Sequence, residues 1–414
     1  MTLPLQHAVF VTDGDQASAL AITRSLGKKG IKVVVGHTHA ATSTFLSKYC
    51  FKKILYRDPL YGENFVSDVI KAVIRYDCDV LFPVTDYSLM EISLRKEKFE
   101  RIGVKIPIPN HETILTARDK LLTLKVAKKE GVPCPRTFTP ASVKELNKVI
   151  HELGFPLVVK PRTGIGGAGI EYVRSKNELQ KAFVNIRKAF GHYPIVQEFI
   201  PGAGNVYSVV CIFDERSGLK AAITMRKIRE DPPTGGACTF GETVWSPQIT
   251  DIGVNLLKKM GWYGIAAAEL KIDPRDDKPK LMEINPRWFG YTSLAINAGI
   301  DLPFILYKIA LGEDVRYVTK YDIGLKFLRL LHDSYTFFTK FLPSSKDKRK
   351  ETLKFIGSYL RNRICFDFVS FDDPFPLFGF ASDILLRNVG CHHKHHPSEY
   401  SFAVKKDKRL NVLD

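Results

Sequence analysis

No CxxC pair occurs among the seven cysteines, which are Cys50, Cys78, Cys134, Cys211, Cys238, Cys365 and Cys391. An odd number at irregular spacing argues against a disulfide framework and for a reduced compartment, so a cytoplasmic location is expected. No uninterrupted apolar run approaches the ~18 residues of a membrane-spanning helix, so no transmembrane segment is expected. Met1 to Asp15 lacks a basic segment followed by an apolar one, and no cleaved secretory signal is expected either. A Walker A sequence is absent. The turn Asp13-Gly14-Asp15 has too few glycines for a GxGxxG fingerprint, and no acid ends the following strand, which disfavours a nicotinamide dehydrogenase. The chain shows neither an aromatic-studded RNA-binding signature nor a recognition-helix motif, so nucleic acid is not an expected partner. With 29 glycines and 23 prolines spread over 414 residues, it is neither collagenous nor of low complexity.

What is present is an ordinary globular balance, 45% hydrophobic and 25% charged, in a chain long enough for two to four domains. Lys and Arg number 61 against 44 Asp and Glu, a formal net charge of +17. Such a field attracts anions in general, and we read it as solubility plus attraction for an anionic small molecule.

The fold class expected is α/β and α+β, an N-terminal open parallel sheet followed by a mixed region. Ala8-Val9-Phe10-Val11, Ile31 to Val35 and Val80 to Val84 read as buried strands. Between them, Ala19, Ile22 and Leu26, then Phe65, Val66, Val69, Ile70, Val73 and Ile74, recur at helical spacing. In such sheets ligands sit at the carboxyl ends of the strands, which makes Asp13, Gly14, Asp15, Thr85 and Asp86 a candidate mouth or simply turn residues. A helix is expected after Pro109 with Asn110 as its N-cap, and another over Asp119 to Lys129. Pro156 to Lys160, Val206 to Phe213, Lys220 to Met225, Ala266 to Ile272 and Lys280 to Ile284 read as strands. Leu325 to Phe341 and Leu353 to Asn362 read as helical. The aromatic stretch Phe366 to Phe380 is expected to pack on the main body rather than to face a partner or membrane.

Three stretches carry chemistry. Glu283 and Asn285, two apart on a strand, project from one face, and antiparallel pairing across the Asp273 to Lys278 turn can bring Glu269 beside them. Oxygen ligands in that arrangement suit Mg²⁺, and Arg287 adds a fixed cation for an anionic transition state. Lys160 ends an apolar strand directly before Thr163-Gly164-Ile165-Gly166-Gly167-Ala168-Gly169, whose backbone N–H groups can close over phosphate oxygens. Gln197-Glu198-Phe199-Ile200 before Pro201-Gly202 could be an edge strand facing an adenine ring, or an ordinary strand end. His392-His393-Lys394-His395-His396 invites a metal reading, but no cysteine or carboxylate spacing completes a site, and we read it as a solvated tract.

Taken together in this order, Asp119-Lys120, Val159-Lys160-Pro161 with its glycine loop, Gln197 to Ile200, Glu269, and Glu283-Ile284-Asn285-Pro286-Arg287 resemble the ATP-grasp superfamily. The chain looks most like its carboxylate–amine ligase branch, which includes amino-acid ligases and carbamoyl-phosphate-synthase-like proteins. The resemblance covers about Thr116 to Asp314. It implies a Rossmann-like front domain over 1–112, an ATP-grasp domain over 113–314 with a small lobe at about 135–200 and a large lobe at about 201–314, and a partly helical, aromatic-rich extension over 315–414. It also implies ATP bound by Lys120, Lys160, Gly164, Gly166, Gly167, Gly169, Glu198, Phe199 and Ile200. Two Mg²⁺ ions, or Mn²⁺ in their place, would sit on Glu269, Glu283 and Asn285, and Lys160, Arg229 and Arg287 would be catalytic. Arg226 to Arg229 with Pro232-Pro233-Thr234-Gly235-Gly236 resembles the loop that reaches toward carboxylate and phosphate. Val206 stands where the family often has an acid for the ribose, which leaves that contact to Asn205 or nearby backbone. The implied reaction joins a small-molecule carboxylate to an amine through an acyl phosphate, in a monomer or homodimer. Bicarbonate or carbamate chemistry, and a non-catalytic ATP-binding protein at a membrane surface or with a partner, are the alternatives.

Overall fold

The computed structural model describes residues 7–164, 167–202, 204–232, 235–344, 347–360 and 363–380. Gly166 and the histidine cluster at 392–396 lie outside them.

The first sheet is parallel, in the order Cys50–Leu55, Lys32–His37, Ala8–Val11, Cys78–Phe82. Ala8–Val11 is buried along its whole length, which is why it reads as an unbroken apolar run. Cys50–Leu55 escaped the sequence reading because its middle is exposed and carries Lys52 and Lys53, the charged edge that discourages further strand pairing. Asp13 takes φ 56°, a left-handed conformation that Asp tolerates. Its carboxylate accepts from the Thr85 backbone at 2.9 Å and the Thr12 hydroxyl at 2.6 Å. Asp13 therefore ties two strand ends together, while Asp86 reaches the cleft.

Helix His111–Arg118 is capped by Asn110, which accepts from the Thr113 N–H at 2.8 Å. Helix Lys120–Lys129 is capped by Asp119, which accepts from Leu121 and Leu122. The cap places Lys120 in the helix's first turn, facing the cleft. Beyond it an antiparallel sheet runs in the order Thr137–Phe138, Ile195–Glu198, Leu157–Lys160, Glu171–Val173. Its core is closed by Leu179, Phe183 and Ile186 from helix Lys176–Phe190.

The third sheet has seven strands, ordered Lys278–Asn285, Gly264–Asp273, Val206–Phe213, Leu219–Asp231, Ala237–Val244, Lys326–Leu328, Ile364–Phe366. Three of these correct the sequence reading. The strand from Leu219 runs on to Asp231, so Arg226 to Arg229 is strand and not loop. Ala237–Val244 is a strand hidden by its polar composition and Gly241. Lys326–Leu328 is extended where a continuous helix was expected, because Phe240↔Leu328 pairing claims it for the sheet. Residues after 314 thus supply two strands to this sheet. One hydrophobic core joins the first and third sheets, from Val9 and Val35 to Val210 and Ile223, with Phe82 packed on Trp288. Each such large side chain contributes about 1.5–3 kcal/mol on burial. Phe368 stacks on Phe380 at 4.1 Å over Ala17 and Leu20, whereas Phe371, Phe375 and Phe378 stay exposed. The aromatic stretch therefore packs only in part.

Candidate active site

The three sheets meet around a cavity of about 560 Å³, into which Lys120, Lys160, Lys227, Glu269, Glu283 and Arg287 all project. Glu269 pairs directly with Glu283 across the hairpin, and Asn285 stands opposite Ala267. The Asn285 side-chain nitrogen lies 3.3 Å from a carboxylate oxygen of each glutamate. From one side, Lys120 Nζ reaches Glu283 at 3.2 Å. From the other, Lys227 Nζ reaches Glu269 at 2.8 Å, Glu230 at 3.2 Å and the Gly236 carbonyl at 3.1 Å.

Electrostatics separates these groups. Burial and the neighbouring Glu283 charge push the Glu269 carboxyl up. Burial also acts against the Glu283 carboxylate, but Lys120 and Lys227 outweigh it and hold it below the usual range. Lys227 is likewise opposed by burial and rescued by Glu269 and Glu230, which raise it well above an ordinary lysine. For Lys160 the Glu283 charge is too weak a rescue. Burial, with Lys120 nearby, lowers it to about 8. A desolvated lysine of this kind is a site for an incoming anion.

Among the described residues no cluster of three or more His, Cys, Asp or Glu forms a metal site. Two carboxylates converge with the Asn285 carboxamide, which turns its nitrogen to them and its oxygen to Arg287. The carboxylate oxygens fit a Mg²⁺ ion that completes its shell with phosphate and water, and rotation of the carboxamide would add its oxygen.

Arg287 is fixed from the first domain. Its Nε donates to Asp86, whose other oxygen accepts from Arg118 at 2.9 Å, and its second amino group reaches the Asn285 oxygen at 3.3 Å. Burial opposes the charge on Asp86, but Arg287 and Arg118 together keep it ionised.

The glycine loop approaches from the small lobe. Gly167 takes φ +81°, and a Cβ there would stand 2.8 Å from the Gly235 carbonyl of the opposite lobe. Gly169, at φ +74°, lies against the Phe190 ring, where a Cβ would come within 2.6 Å. Gly164 lines the cavity beside them.

Glu198, Phe199 and Ile200 form the far wall. The Glu198 carboxylate already accepts from the Arg136 backbone at 2.8 Å and from Arg275 at 3.0 Å. Lys271 donates to the Ile200 carbonyl at 2.8 Å and lies 5.8 Å from the Phe199 ring centre. Val206 lines this end too and offers it no acceptor side chain.

Arg229 is not brought to the cavity. A bulge between Lys227 and Glu230 turns those two residues inward and leaves Arg229 on the back of the strand. There it pairs with Asp333 at 2.6 Å and lies over the Phe240 ring at 4.2 Å. Lys227 and Glu230 are the pocket residues of that segment, and a strict two-residue alternation would not have selected both. Asp86, Arg118, Lys271 and Arg329 also went unselected as site residues. Arg329 lines the cavity while pairing with Asp367 at 2.9 Å. Only Asp86 carried a signal in the sequence, its place at the end of a strand.

Residues 117–291 match the family model described as an ATP-grasp domain. The chain is 23% identical over 326 residues to the carbamoyl phosphate synthase large chain of Methanothrix thermoacetophila, covering 74% of this chain and 28% of that one. It is 27% identical to the same protein of Methanosarcina barkeri, covering 76% and 30%. The chain thus spans under a third of the length of these relatives. Biotin carboxylase from Campylobacter jejuni, solved with β,γ-ATP, superposes with a TM-score of 0.65 at 18% identity, covering 77% of this chain and 74% of that one. N5-carboxyaminoimidazole synthetase from Staphylococcus aureus, solved with ADP, superposes at 0.62 and 17%, covering 78% and 81%.

Proposed function

Because residues 117–291 form an ATP-grasp domain, we propose that the chain is an ATP-dependent carboxylate–amine ligase that makes an amide through an acyl phosphate. One juxtaposition carries the reading: Lys120 and Lys160 face Glu269, Glu283 and Asn285 across a single cavity that Arg287 also enters. Glu269, Glu283 and Asn285 would hold Mg²⁺, two ions or Mn²⁺ in their place, which when bound neutralises the charge between the β- and γ-phosphates.

The chain's own residues do the rest. Lys160 and Lys120 receive the phosphates, and the Gly164 to Gly169 loop closes over them. An oxygen of the substrate carboxylate attacks the γ-phosphorus in line. The new P–O bond forms as the bond to the β,γ-bridging oxygen breaks, and ADP leaves with that electron pair. The amine then attacks the acyl carbon, the C–O bond to phosphate breaks, phosphate departs and the nitrogen loses a proton. Arg287, steadied by Asp86, faces the negative charge that builds on the acyl oxygen. The abutting loops at Gly167 and Gly235 keep water from the acyl phosphate. The adenine ring rests against Phe199 and Ile200, and backbone rather than the Glu198 carboxylate meets its edge.

A second reading, bicarbonate as the carboxylate, is favoured by a further neighbour. The biotin carboxylase domain of 2-oxoglutarate carboxylase from Hydrogenobacter thermophilus superposes with a TM-score of 0.64 at 19% identity, covering 77% of this chain and 73% of that one, and was solved with MgADP and bicarbonate. Phosphate release from Mg·ATP, measured against pooled carboxylates and amines with mass spectrometry of the products, tests both. A product whose mass is carboxylate plus amine less water supports the ligase. Release driven by bicarbonate alone moves the assignment to the second reading. ATP binding without release in any pool overturns both.

A further inference from the structure

Behind the cleft, helix Leu330–Thr336 continues through Phe337–Phe341, and helix Lys348–Leu360 follows it. Their inner faces are locked together by Phe337 stacked on Phe355, ring centres 3.8 Å apart. Arg229 bolts the pair to the sheet through Asp333, which also accepts from Tyr359 at 2.7 Å and Thr239 at 2.6 Å.

The outer faces have no such use. Leu353, Ile356 and Leu360 fall on one stripe at i, i+3 and i+7, opposite the buried Phe355. Leu331, Tyr335 and Phe338 make a similar row on the first helix. All six are 46–80% exposed. Rows of large apolar side chains held in water mark a contact surface.

Charge selects what it contacts. Between Phe337 and Arg363 the sequence has eight Lys or Arg and two acids. Lys348, Arg349 and Lys350 crowd the first turn of the second helix and are exposed. Asp347 caps this helix by accepting from the Lys350 N–H at 2.9 Å and Glu351 pairs with Lys354, so the chain's own acids meet only part of the charge and the helix end stays positive. Helical spacing puts Arg349 on the leucine stripe and Lys350 and Lys354 along its flank. A second copy of this chain would bring the same cations face to face. No described helix is long and apolar enough to cross a membrane, which suits elements that lie on one.

We propose that this hairpin docks on an anionic lipid surface, with Leu353, Ile356 and Leu360 toward the acyl chains and Arg349, Lys350 and Lys354 on the headgroups. The enzyme would then work at a membrane face, with the strand carrying Lys227 and Glu230 lying directly above the anchor.

The test is co-sedimentation of the full chain with phosphatidylcholine vesicles, with and without phosphatidylglycerol. Binding is expected only with the anionic lipid and should weaken with salt. Combining Arg349→Gln, Lys350→Gln and Lys354→Gln should lower vesicle affinity by about a hundredfold, and Leu353→Glu with Ile356→Glu should abolish it. Thermal unfolding matching the parent certifies that each variant is folded, and the charge variant keeps the test open if the apolar one is not. Binding to neither vesicle, equal binding to both, or affinity unchanged in folded variants overturns the proposal. So does a dimer in sedimentation velocity that Leu353→Glu with Ile356→Glu dissolves. None of these readings depends on turnover, so failure here leaves the ligase assignment standing, and the reverse.

Discussion

Lys160 at the end of strand Leu157–Lys160 and Lys227 on strand Leu219–Asp231 lose nearly all their water in the same cleft, yet burial is fully offset at only one of them. Lys227 sits between Glu269 and Glu230 and stays charged. At Lys160 burial and the Lys120 charge outweigh the pull of Glu283, and it is lowered to about 8. The wall carrying Lys227 is therefore electrically complete by itself, whereas the wall carrying Lys160 keeps an excess of positive charge, which the proposed function assigns to an anionic ligand. The pair teaches how to tell a structural buried cation from a receptive one: by whether its counter-charge belongs to the protein.

The largest effect that would break this contrast is on stability. Lys227→Met leaves Glu269 and Glu230 buried without their cation and should cost about 3–5 kcal/mol in urea unfolding. Lys160→Met should leave the stability of the nucleotide-free chain unchanged or raised while lowering kcat/KM for ATP by about 10²–10³. Equal destabilisation by the two substitutions would erase the distinction. Next comes Asp86→Asn, which loosens Arg287 without touching the phosphate lysines. Turnover should fall by about 10- to 100-fold with the KM for ATP nearly unchanged. A KM effect as large as the kcat effect would mean that Asp86 shapes the nucleotide site itself.

The smallest effect is on pH dependence. Lys160 in the folded, ligand-free chain loses its proton near pH 8, against 10.5 for an ordinary lysine. Between those values the unfolded chain holds the extra proton, so this group makes the empty protein more stable as pH rises. In the proposed function ATP needs the charged form. Its affinity should therefore weaken by up to about tenfold per unit above pH 8, with proton uptake measurable by calorimetry in buffers of different ionisation heat. Lys160→Met should flatten that limb.

How far the sequence revealed this depends on what each residue's position rests on. Asp119 and Asn110 cap helices within three residues of themselves, so local rules located them. Glu269, Glu283 and Asn285 come together through one hairpin, and alternation along two strands was enough to place them on one face. Arg229 was expected in the site because its segment resembles a loop, whereas it lies on a strand whose bulge turns Lys227 and Glu230 inward, and a bulge leaves no trace in local sequence. Ala237–Val244 went unseen because its partners on both sides, not its composition, make it a strand. The ion pair of Asp86 with Arg287 joins residues 201 apart in sequence, and no spacing rule spans that distance.

That ion pair bears on how such a protein can be cut and inherited. Arg118 and Arg287 both lie within the matched span 117–291, but the carboxylate that balances them comes from outside it. Excising that span would remove the carboxylate that Arg118 and Arg287 share. A recognisable module is therefore not a self-sufficient one. Any recombination that exchanges the N-terminal sheet and its loops must deliver an acid to this one corner.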